Sequence, residues 1–352
     1  MKIKIIALIS LALLFVACED DPTSSNDVSQ NTSWTFVANE GIYDWQGPTN
    51  TGTITMVDSF GNTLETEPLG DIVQALEVYN NKLVVSVNNS QKILIFDISA
   101  EGISNMQEIQ TDGLSPREIS IIDNKAYITF WDSDFNIYPY EPGYVKVLNL
   151  NSNEFEGGDI QVGIMPEGMA YDSNFLWVAN SGESSISKID VNTNSVIESV
   201  EVGRGPQNIV INNGDAYISR TFYDYEYDDD GLWTGTITTH GSSKVSGSEV
   251  TILNYGSGVV CGGSVLSYNN QVYRSYNGGI FPIDENLELQ SGRIGDYNQD
   301  DVYHVEIIND NVWFGLKNSN EAGMIKVVDN NSLELMSFQS GINPGDFAIW
   351  NQ

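Results

Sequence analysis

The chain has 352 residues, a formal net charge of −33 and a pI near 4.1. A surface this acidic repels phosphate backbones and anionic lipid headgroups, which argues against nucleic acid as a partner. With only two cysteines, Cys18 and Cys261, the sequence also excludes a disulfide framework.

The N-terminal segment has the pattern of a bacterial export signal. Lys2 and Lys4 precede an apolar run of about twelve residues, 5–16, which is shorter than a membrane-spanning helix. The run ends at Phe15-Val16-Ala17-Cys18, which resembles a lipobox. We therefore predict a signal peptide over residues 1–17 and lipidation of Cys18. An ordinary signal peptide followed by an incidental cysteine is the alternative.

Residues 18–33 are polar and have the composition of a flexible tether. Glu19-Asp20-Asp21 resembles the acidic signal that sends lipoproteins of Bacteroidota to the outer face of the outer membrane. That resemblance implies a protein held at the outer membrane by its lipid anchor only and facing the cell exterior. A solvated acidic linker is the alternative.

Residues 34–352 repeat a unit of about 40 residues. In the clearest copy, Gly163 to Tyr171 and Leu176 to Asn180 are strand-like and flank the turn Asp172-Ser173-Asn174; two more strands follow, to Val202. Four short strands joined by Asn, Asp, Gly and Ser turns are typical of a propeller blade. An antiparallel sandwich is the competing fold.

Six copies are whole, and a seventh is split between the two ends of the chain. The C-terminal Asn343–Trp350 reads as a first strand, and Trp34–Asn39 matches the second strand Trp177–Asn180. Complementary ends close a ring and leave no open gap between blades. The sequence thus predicts an all-β, seven-bladed β-propeller over residues 34–352, closed by one composite blade.

The blade motif, an aromatic residue followed by Val/Ile-Ala-Asn, resembles that of the YncE-like (YVTN) propellers. Ala38-Asn39-Glu40-Gly41 is similar to the opening of a group of Bacteroidota propeller lipoproteins. Some members of that group bind cobalamin at the cell surface and sit over a TonB-dependent transporter. The resemblance implies the fold and suggests a corrinoid ligand, but it carries over no binding residues.

Blade geometry places the loops between second and third strands on the same face as the loops that enter each innermost strand. Three of these second-to-third loops are long and aromatic, and long loops on a rigid scaffold usually carry function. Their rings offer a large contact area for a ligand or partner, or they pack on one another as a structural lid. The candidate binding residues are Tyr43, Trp45, Trp131, Phe135, Tyr138, Tyr140, Tyr223, Tyr225, Tyr227 and Trp233.

A ring of equivalent positions is expected at the mouth of the central channel on that face. Counting back nine residues from each second strand gives Gln74, Arg117, Glu167, Gln207, Gly263 and Tyr303, and the residue after Pro344 adds Gly345. Beside them lie Glu118, Asn208, His304 and Asp346. Arg117, Gln207 and Tyr303 join the candidate binding residues, since polar groups below aromatic walls suit a small-molecule site. A water-filled channel mouth is the alternative.

Metal binding and catalysis have little support in the sequence. Glu226, Asp228 and Asp230, followed by Gly231, partly match an acidic calcium loop, but Ile237 stands where a bidentate Glu is expected. The only histidines are His240 and His304, with no His pair at ligand spacing and no Gly-x-Ser-x-Gly elbow. We therefore expect no cofactor and no catalytic residue, with a solvated acidic loop favoured over calcium.

Three functional hypotheses follow. The leading one is a surface lipoprotein, monomeric on its own, that captures a small molecule such as a corrinoid for a TonB-dependent outer-membrane transporter. The second is a propeller that docks a protein or glycan and binds no small ligand. The third is a lyase or hydrolase on the same face, which requires an acid or base in the channel, such as His304 or Glu167.

Overall fold

The computed structural model describes residues 33–44, 46–132, 139–258 and 264–352. These residues form strands and turns, and the described part contains no helix able to cross a membrane. The strands make seven antiparallel sheets, each one blade. The predicted seven-bladed β-propeller is thus confirmed, whereas Cys18 and Cys261 lie outside the described residues.

Blade one joins the two ends of the described chain. It contains β1 (Ser33–Asn39), β2 (Thr53–Asp58), β3 (Thr63–Glu65) and β27 (Pro344–Asn351). The strand order is β27-β1-β2-β3, so the C-terminal strand is innermost and pairs with β1 from Ser33 to Asn39. The composite blade predicted from the complementary ends is therefore confirmed.

The other blades follow in chain order, with strands as follows. Blade two has β4 (Val73–Tyr79), β5 (Lys82–Val87), β6 (Lys92–Ser99) and β7 (Gly102–Gln110). Blade three has β8 (Ser115–Ile122), β9 (Lys125–Trp131), β10 (Pro142–Asn149) and β11 (Glu154–Ile164). Blade four has β12 (Pro166–Tyr171), β13 (Phe175–Asn180), β14 (Ser185–Asp190) and β15 (Ser195–Glu201).

Blade five has β16 (Pro206–Asn212), β17 (Asp215–Tyr227), β18 (Trp233–Ser246) and β19 (Glu249–Ser257). Blade six is three-stranded, with β20 (Val265–Tyr268), β21 (Gln271–Tyr276) and β22 (Gly279–Pro282), and isolated bridges tie Ile294 and Leu289 to its edge. Blade seven has β23 (Val302–Ile308), β24 (Asn311–Asn318), β25 (Glu321–Val328) and β26 (Glu334–Gln339).

The innermost strands close into a ring around a central channel. Each of β27, β4, β8, β12, β16, β20 and β23 contacts the next, and β23 contacts β27 again. The hydrophobic core lies between neighbouring blades. Between blades one and two, for example, Phe36, Ile54, Leu76 and Leu94 are fully buried together. Burial of such side chains on both faces of a blade is the main source of stability.

Short turns connect the first and second strands, as the sequence predicts. Asn269 and Asn270 both have positive φ, as do Asn309 and Asp310, which is the conformation that two-residue hairpins require. Asparagine and aspartate tolerate this region better than other residues with a Cβ. These pairs therefore set the hairpin register in blades six and seven.

One predicted loop has a different structure. The chain between the second and third strands of blade five is a β-hairpin, because β17 and β18 continue outward and stay paired from Phe222–Thr239 to Tyr227–Trp233. Tyr recurs at every second position of one strand and Thr at every second position of the other, and both residue types favour strands. We call this extension, residues 222–239, the hairpin arm.

Candidate functional site

A β-bulge interrupts most of the innermost strands at the same level of the channel. The pairing register shifts between Val73 and Ala75, between Pro116 and Ile119, between Pro206 and Asn208, and between Val302 and His304. A bulge sets two successive residues against one on the partner strand and re-aims the local side chains. In these four strands the shift falls at the ring positions predicted from the repeat.

The ring lines one cavity of about 680 Å³ in the centre of the propeller. Its described members all contribute to the wall: Gln74, Arg117, Glu167, Gln207, Tyr303 and Gly345. So do the predicted neighbours Glu118, Asn208, His304 and Asp346. The structure therefore brings the polar ring together, apart from Gly263, which lies outside the described residues.

Hydroxyl groups on the second strands support the bulges. The backbone N–H of Ala75 donates to Ser86 Oγ at 3.0 Å, that of Glu118 to Thr129 Oγ1 at 3.0 Å, and that of Asn208 to Ser219 Oγ at 3.1 Å. A bulge disrupts the ladder locally, and a buried N–H without a partner is costly. The hydroxyls thus fix the backbone that aims the ring side chains.

Arg117 is the centre of the polar network at the channel mouth. Its Nε and Nη2 atoms donate to the two carboxylate oxygens of Glu167, each at 3.0 Å, and Nη1 donates to Gln74 Oε1 at 2.7 Å. Its guanidinium carbon lies 4.5 Å from the centroid of the Trp131 ring. This fork-to-fork geometry holds the guanidinium plane over the indole.

A second cavity, of about 690 Å³, opens above the first. The two cavities share four lining residues, Glu40, Gln74, Arg117 and Tyr303, which we call the collar. Within the collar the Tyr303 hydroxyl donates to Glu40. The walls of the upper cavity include the segment that precedes the innermost strand of blade two and segments that follow second strands. Both kinds of segment therefore lie on one face of the propeller, as the sequence predicts.

The lower cavity is strongly acidic. Among its described lining residues are six carboxylates, Glu40, Glu77, Glu118, Glu167, Glu306 and Asp346, against Arg117 and His304. Burial, reinforced by the charge of Glu306, raises the pKa of Glu77 to about 7. Burial and the charge of Glu167 likewise raise the pKa of Glu118 to about 7. Such a wall favours cationic or neutral guests over anions.

The predicted aromatic residues separate into groups. Tyr43 and Trp131 line the upper cavity, and Tyr223 lines the lower one. Trp131 is the last residue of β9, and its Nε1 donates to the Pro166 carbonyl at 3.2 Å. Tyr140 lines neither cavity and is partly exposed. Trp45, Phe135 and Tyr138 lie outside the described residues.

Three other predicted residues lie on the hairpin arm, away from both cavities. Tyr225, Tyr227 and Trp233 are each 62% exposed. Tyr227 pairs directly with Trp233, and Tyr225 shares the face of Tyr227 because side chains alternate along a strand. Beyond Tyr223, which lines the lower cavity, the arm therefore carries an exposed aromatic face.

The acidic tip of the arm is organised as a turn. Asp228 Oδ1 accepts the backbone N–H groups of Asp230 and Leu232, at 3.0 and 2.8 Å. Asp58, Asp284 and Asp329 accept two backbone N–H groups in the same spacing elsewhere in the chain. This repeated turn accounts for Asp228 without calcium, so the Glu226, Asp228 and Asp230 site stays a prediction that nothing in the geometry favours.

Sequence reasoning missed three of the acidic residues that line the lower cavity: Glu40, Glu77 and Glu306. Glu306 follows His304 by two positions, and strand alternation places both on one face. The same spacing relates Glu77 to Ala75 in blade two. Glu40 follows β1 in a connection whose path the repeat does not specify. For Glu306 and Glu77, the available signal was the alternation of side chains along the strand, counted inward from the ring position.

Comparison with known proteins identifies the fold only. No protein-family model matches the chain, and no curated protein matches it. A functionally unknown protein of Desulfotomaculum acetoxidans is similar with a TM-score of 0.60 at 13% identity, covering 90% of this chain and 98% of that one. A Bacteroides fragilis protein provisionally assigned as a 6-phosphogluconolactonase has a TM-score of 0.59 at 13% identity, over 94% and 100%.

The computationally designed protein Ika8 is also similar, with a TM-score of 0.55 at 12% identity over 90% of this chain and 96% of that one. At these identities the likeness extends to architecture and not to residues of a site. Propellers support many unrelated activities, so the function has to be argued from the channel mouth itself.

Proposed function

We propose that this protein binds a small, neutral or cationic, partly apolar molecule at the mouth of its channel. The observation that carries the proposal is the meeting of two cavities, of about 680 and 690 Å³, at the collar. Aromatic walls from Tyr43 and Trp131 stand on one side of the collar, and hydrogen-bonding groups line the other. Apolar walls with a few convergent polar groups are the usual composition of ligand sites.

A corrinoid is the ligand class we propose first, presented to a TonB-dependent outer-membrane transporter by a lipid-anchored protein. The resemblance of the repeat suggests this class, and the cavity sizes suit a ligand of that bulk when both are used. Carboxylates in the channel accept hydrogen bonds from amide groups at the edge of a corrin ring. The acidity of the channel also agrees with a ligand that lacks a large negative charge.

The direct test is tryptophan fluorescence of the purified full chain titrated with cyanocobalamin, corrected for inner-filter absorption. We expect saturable quenching with a submicromolar Kd, since Trp131 lines the upper cavity. If no binding is seen up to about 100 μM, the binding free energy is weaker than about −5.5 kcal/mol and a corrinoid is ruled out as the ligand. A set of smaller cationic and neutral ligands then tests whether the site binds any small molecule.

The hairpin arm favours a second candidate function, the docking of a protein or glycan. Tyr225, Tyr227 and Trp233 form an exposed aromatic face on a projecting element, and such residues are enriched at binding hot spots. Pull-down from outer-membrane extracts with the wild type and with Tyr225→Ser/Tyr227→Ser separates the two functions. Loss of a partner in that variant, with no small-molecule binding by the wild type, favours docking.

A further inference from the structure

Below the collar, three side chains with metal-ligating atoms converge on one side of the channel. His304 and Glu306 belong to β23, and Asp346 belongs to the adjacent innermost strand β27. One donor atom from each lies within 4.8 Å of the other two. Among the residues that the structure describes, no other group of His, Cys, Asp or Glu is arranged in this way.

The fold builds this cluster from two bulges and strand alternation. The register shift at Val302/His304 turns His304 toward the channel, and Glu306 follows on the same face two residues later. On the other strand, the pairing of β27 with β1 shifts between Ala38 and Asn39, next to Asp346. The three side chains therefore stand on strands of the propeller and not on loops.

Neighbouring groups orient two of the three ligands. The ring of His304 meets Phe347 edge to face, with centroids 5.3 Å apart. Asp346 Oδ2 accepts the backbone N–H of Leu76 at 2.8 Å, and its other oxygen, Oδ1, is 4.0 Å from His304 Nε2. An outer hydrogen bond that holds a carboxylate in place is typical of metal sites.

The atoms that face one another have no hydrogen bonds to explain their positions. His304 Nε2 and Glu306 Oε2 are buried, and neither has a hydrogen-bond partner among the described residues. They are 3.6 Å apart, beyond hydrogen-bond distance. Buried polar atoms in native proteins are nearly always satisfied by protein, water or an ion. A cation between them satisfies both.

The dimensions and charge suit a metal ion. Three atoms within 4.8 Å of one another have a common centre at most about 2.8 Å from each, and small side-chain rotations reach the 2.0–2.2 Å bonds of zinc to imidazole and carboxylate. The carboxyl groups of Glu77 and Glu118 line the same cavity.

We propose that His304, Glu306 and Asp346 bind one divalent transition-metal ion in the channel, with zinc the best match. An imidazole nitrogen beside two carboxylates favours this class over magnesium and calcium, which prefer all-oxygen sites. Three protein ligands leave at least one coordination position facing the cavity, open to water or a guest molecule. The ion site shares the lower cavity with the ligand proposed above, but ion binding can be measured in the absence of that ligand.

The test is titration of the chelator-treated full chain with zinc chloride by isothermal titration calorimetry, with calcium and magnesium chlorides in parallel. We expect one equivalent of zinc with a Kd in the micromolar range or tighter, and at least about tenfold weaker binding in His304→Gln and Glu306→Gln. The matched control is Glu226→Gln/Asp230→Asn, which removes two carboxylates from the hairpin arm and should leave the zinc affinity unchanged. Circular dichroism confirms that each variant is folded.

A spectroscopic measurement identifies the nitrogen ligand separately. With one equivalent of Cu²⁺, electron paramagnetic resonance should show imidazole nitrogen coupling in the wild type and lose it in His304→Gln but not in His240→Phe. The proposal is overturned by zinc binding that survives His304→Gln, by a zinc Kd above about 1 mM, or by calcium binding more tightly than zinc.

Discussion

Arg117 and Glu167, on neighbouring innermost strands, face each other as a bidentate ion pair with both hydrogen bonds at 3.0 Å. The pair is largely buried, with 18% and 10% of the two side chains exposed. Burial raises the pKa of Glu167 although the charge of Arg117 opposes the shift. The carboxylate therefore depends on its partner to stay charged at the channel mouth.

Removing Arg117 alone should be costly. In Arg117→Gln, Glu167 is buried without its cationic partner and must either stay charged there or take up a proton, so we expect the free energy of unfolding at pH 7.5 to fall by about 3 kcal/mol. Urea denaturation followed by circular dichroism measures the change. The double variant Arg117→Gln/Glu167→Gln should recover most of the loss, because two amides carry no charge to bury. Equal stability of the single and double variants contradicts this account.

The two described tryptophans named as binding candidates should behave differently toward a small ligand. Trp131 lines the upper cavity and lies under Arg117, whereas Trp233 is exposed on the hairpin arm. Trp131→Ala should therefore weaken ligand binding at least about tenfold through lost aromatic contact, while Trp233→Ala changes the Kd less than about twofold. Isothermal titration calorimetry with the same ligand measures both variants, because Trp131→Ala also removes the tryptophan whose quenching reports binding. If Trp233→Ala weakens binding more than Trp131→Ala does, the ligand binds at the hairpin arm instead.

Ser86 joins a bulge to the next blade. Its hydroxyl accepts the N–H of Ala75 at 3.0 Å and donates to the Arg117 carbonyl at 2.6 Å, and the residue is fully buried. Ser86→Ala leaves both backbone groups without that partner, so we expect a loss of about 2 kcal/mol in chemical denaturation. Ser86→Thr keeps the hydroxyl, as Thr129 does in blade three, and should lose less than half as much. A fully stable alanine variant refutes the role.

The propeller could be predicted because its evidence is local and repeated. The Asn/Asp turns recur at fixed spacing, and Trp34–Asn39 matches a second strand while residues 344–350 match a first. Each copy constrains the others, so an error in one strand changes little. The sequence predicts a loop where the hairpin arm lies because no other blade has such an extension in the part of the chain that the structure describes, and the alternation of Tyr and Thr was the signal for it.

The site could be predicted in part. The ring of Gln74, Arg117 and its equivalents follows from the repeat, and all its described members line one cavity. The pairing of Arg117 with Glu167 did not follow, because it depends on bulge geometry that turns two consecutive residues inward. The cluster of His304 with Asp346 joins strands 42 positions apart in sequence. Spacing along the chain carries no information on such pairs.

His240 gives the fold a sensitivity to acid. It is buried, and its ring lies 5.1 Å from that of Tyr276 and 5.6 Å from that of Tyr255. Burial and the charge of Arg274 lower the pKa of His240 to about 4. Below pH about 6.5 the unfolded chain therefore binds a proton at this residue that the folded protein does not bind until about pH 4.

Above pH 6.5, His240 is neutral in both states and does not lower the free energy of unfolding. As the pH falls toward 4, protonation of His240 in the unfolded chain lowers the free energy of unfolding by an amount on the order of 2 kcal/mol. His240→Phe keeps a ring in the aromatic cluster and removes the proton. Urea denaturation measures the unfolding free energy of both proteins. Between pH 7.5 and pH 4.5 the wild type should lose that amount of stability relative to the variant. Taking the difference cancels the other titrating groups, so a difference independent of pH would show that His240 is protonated equally in both states.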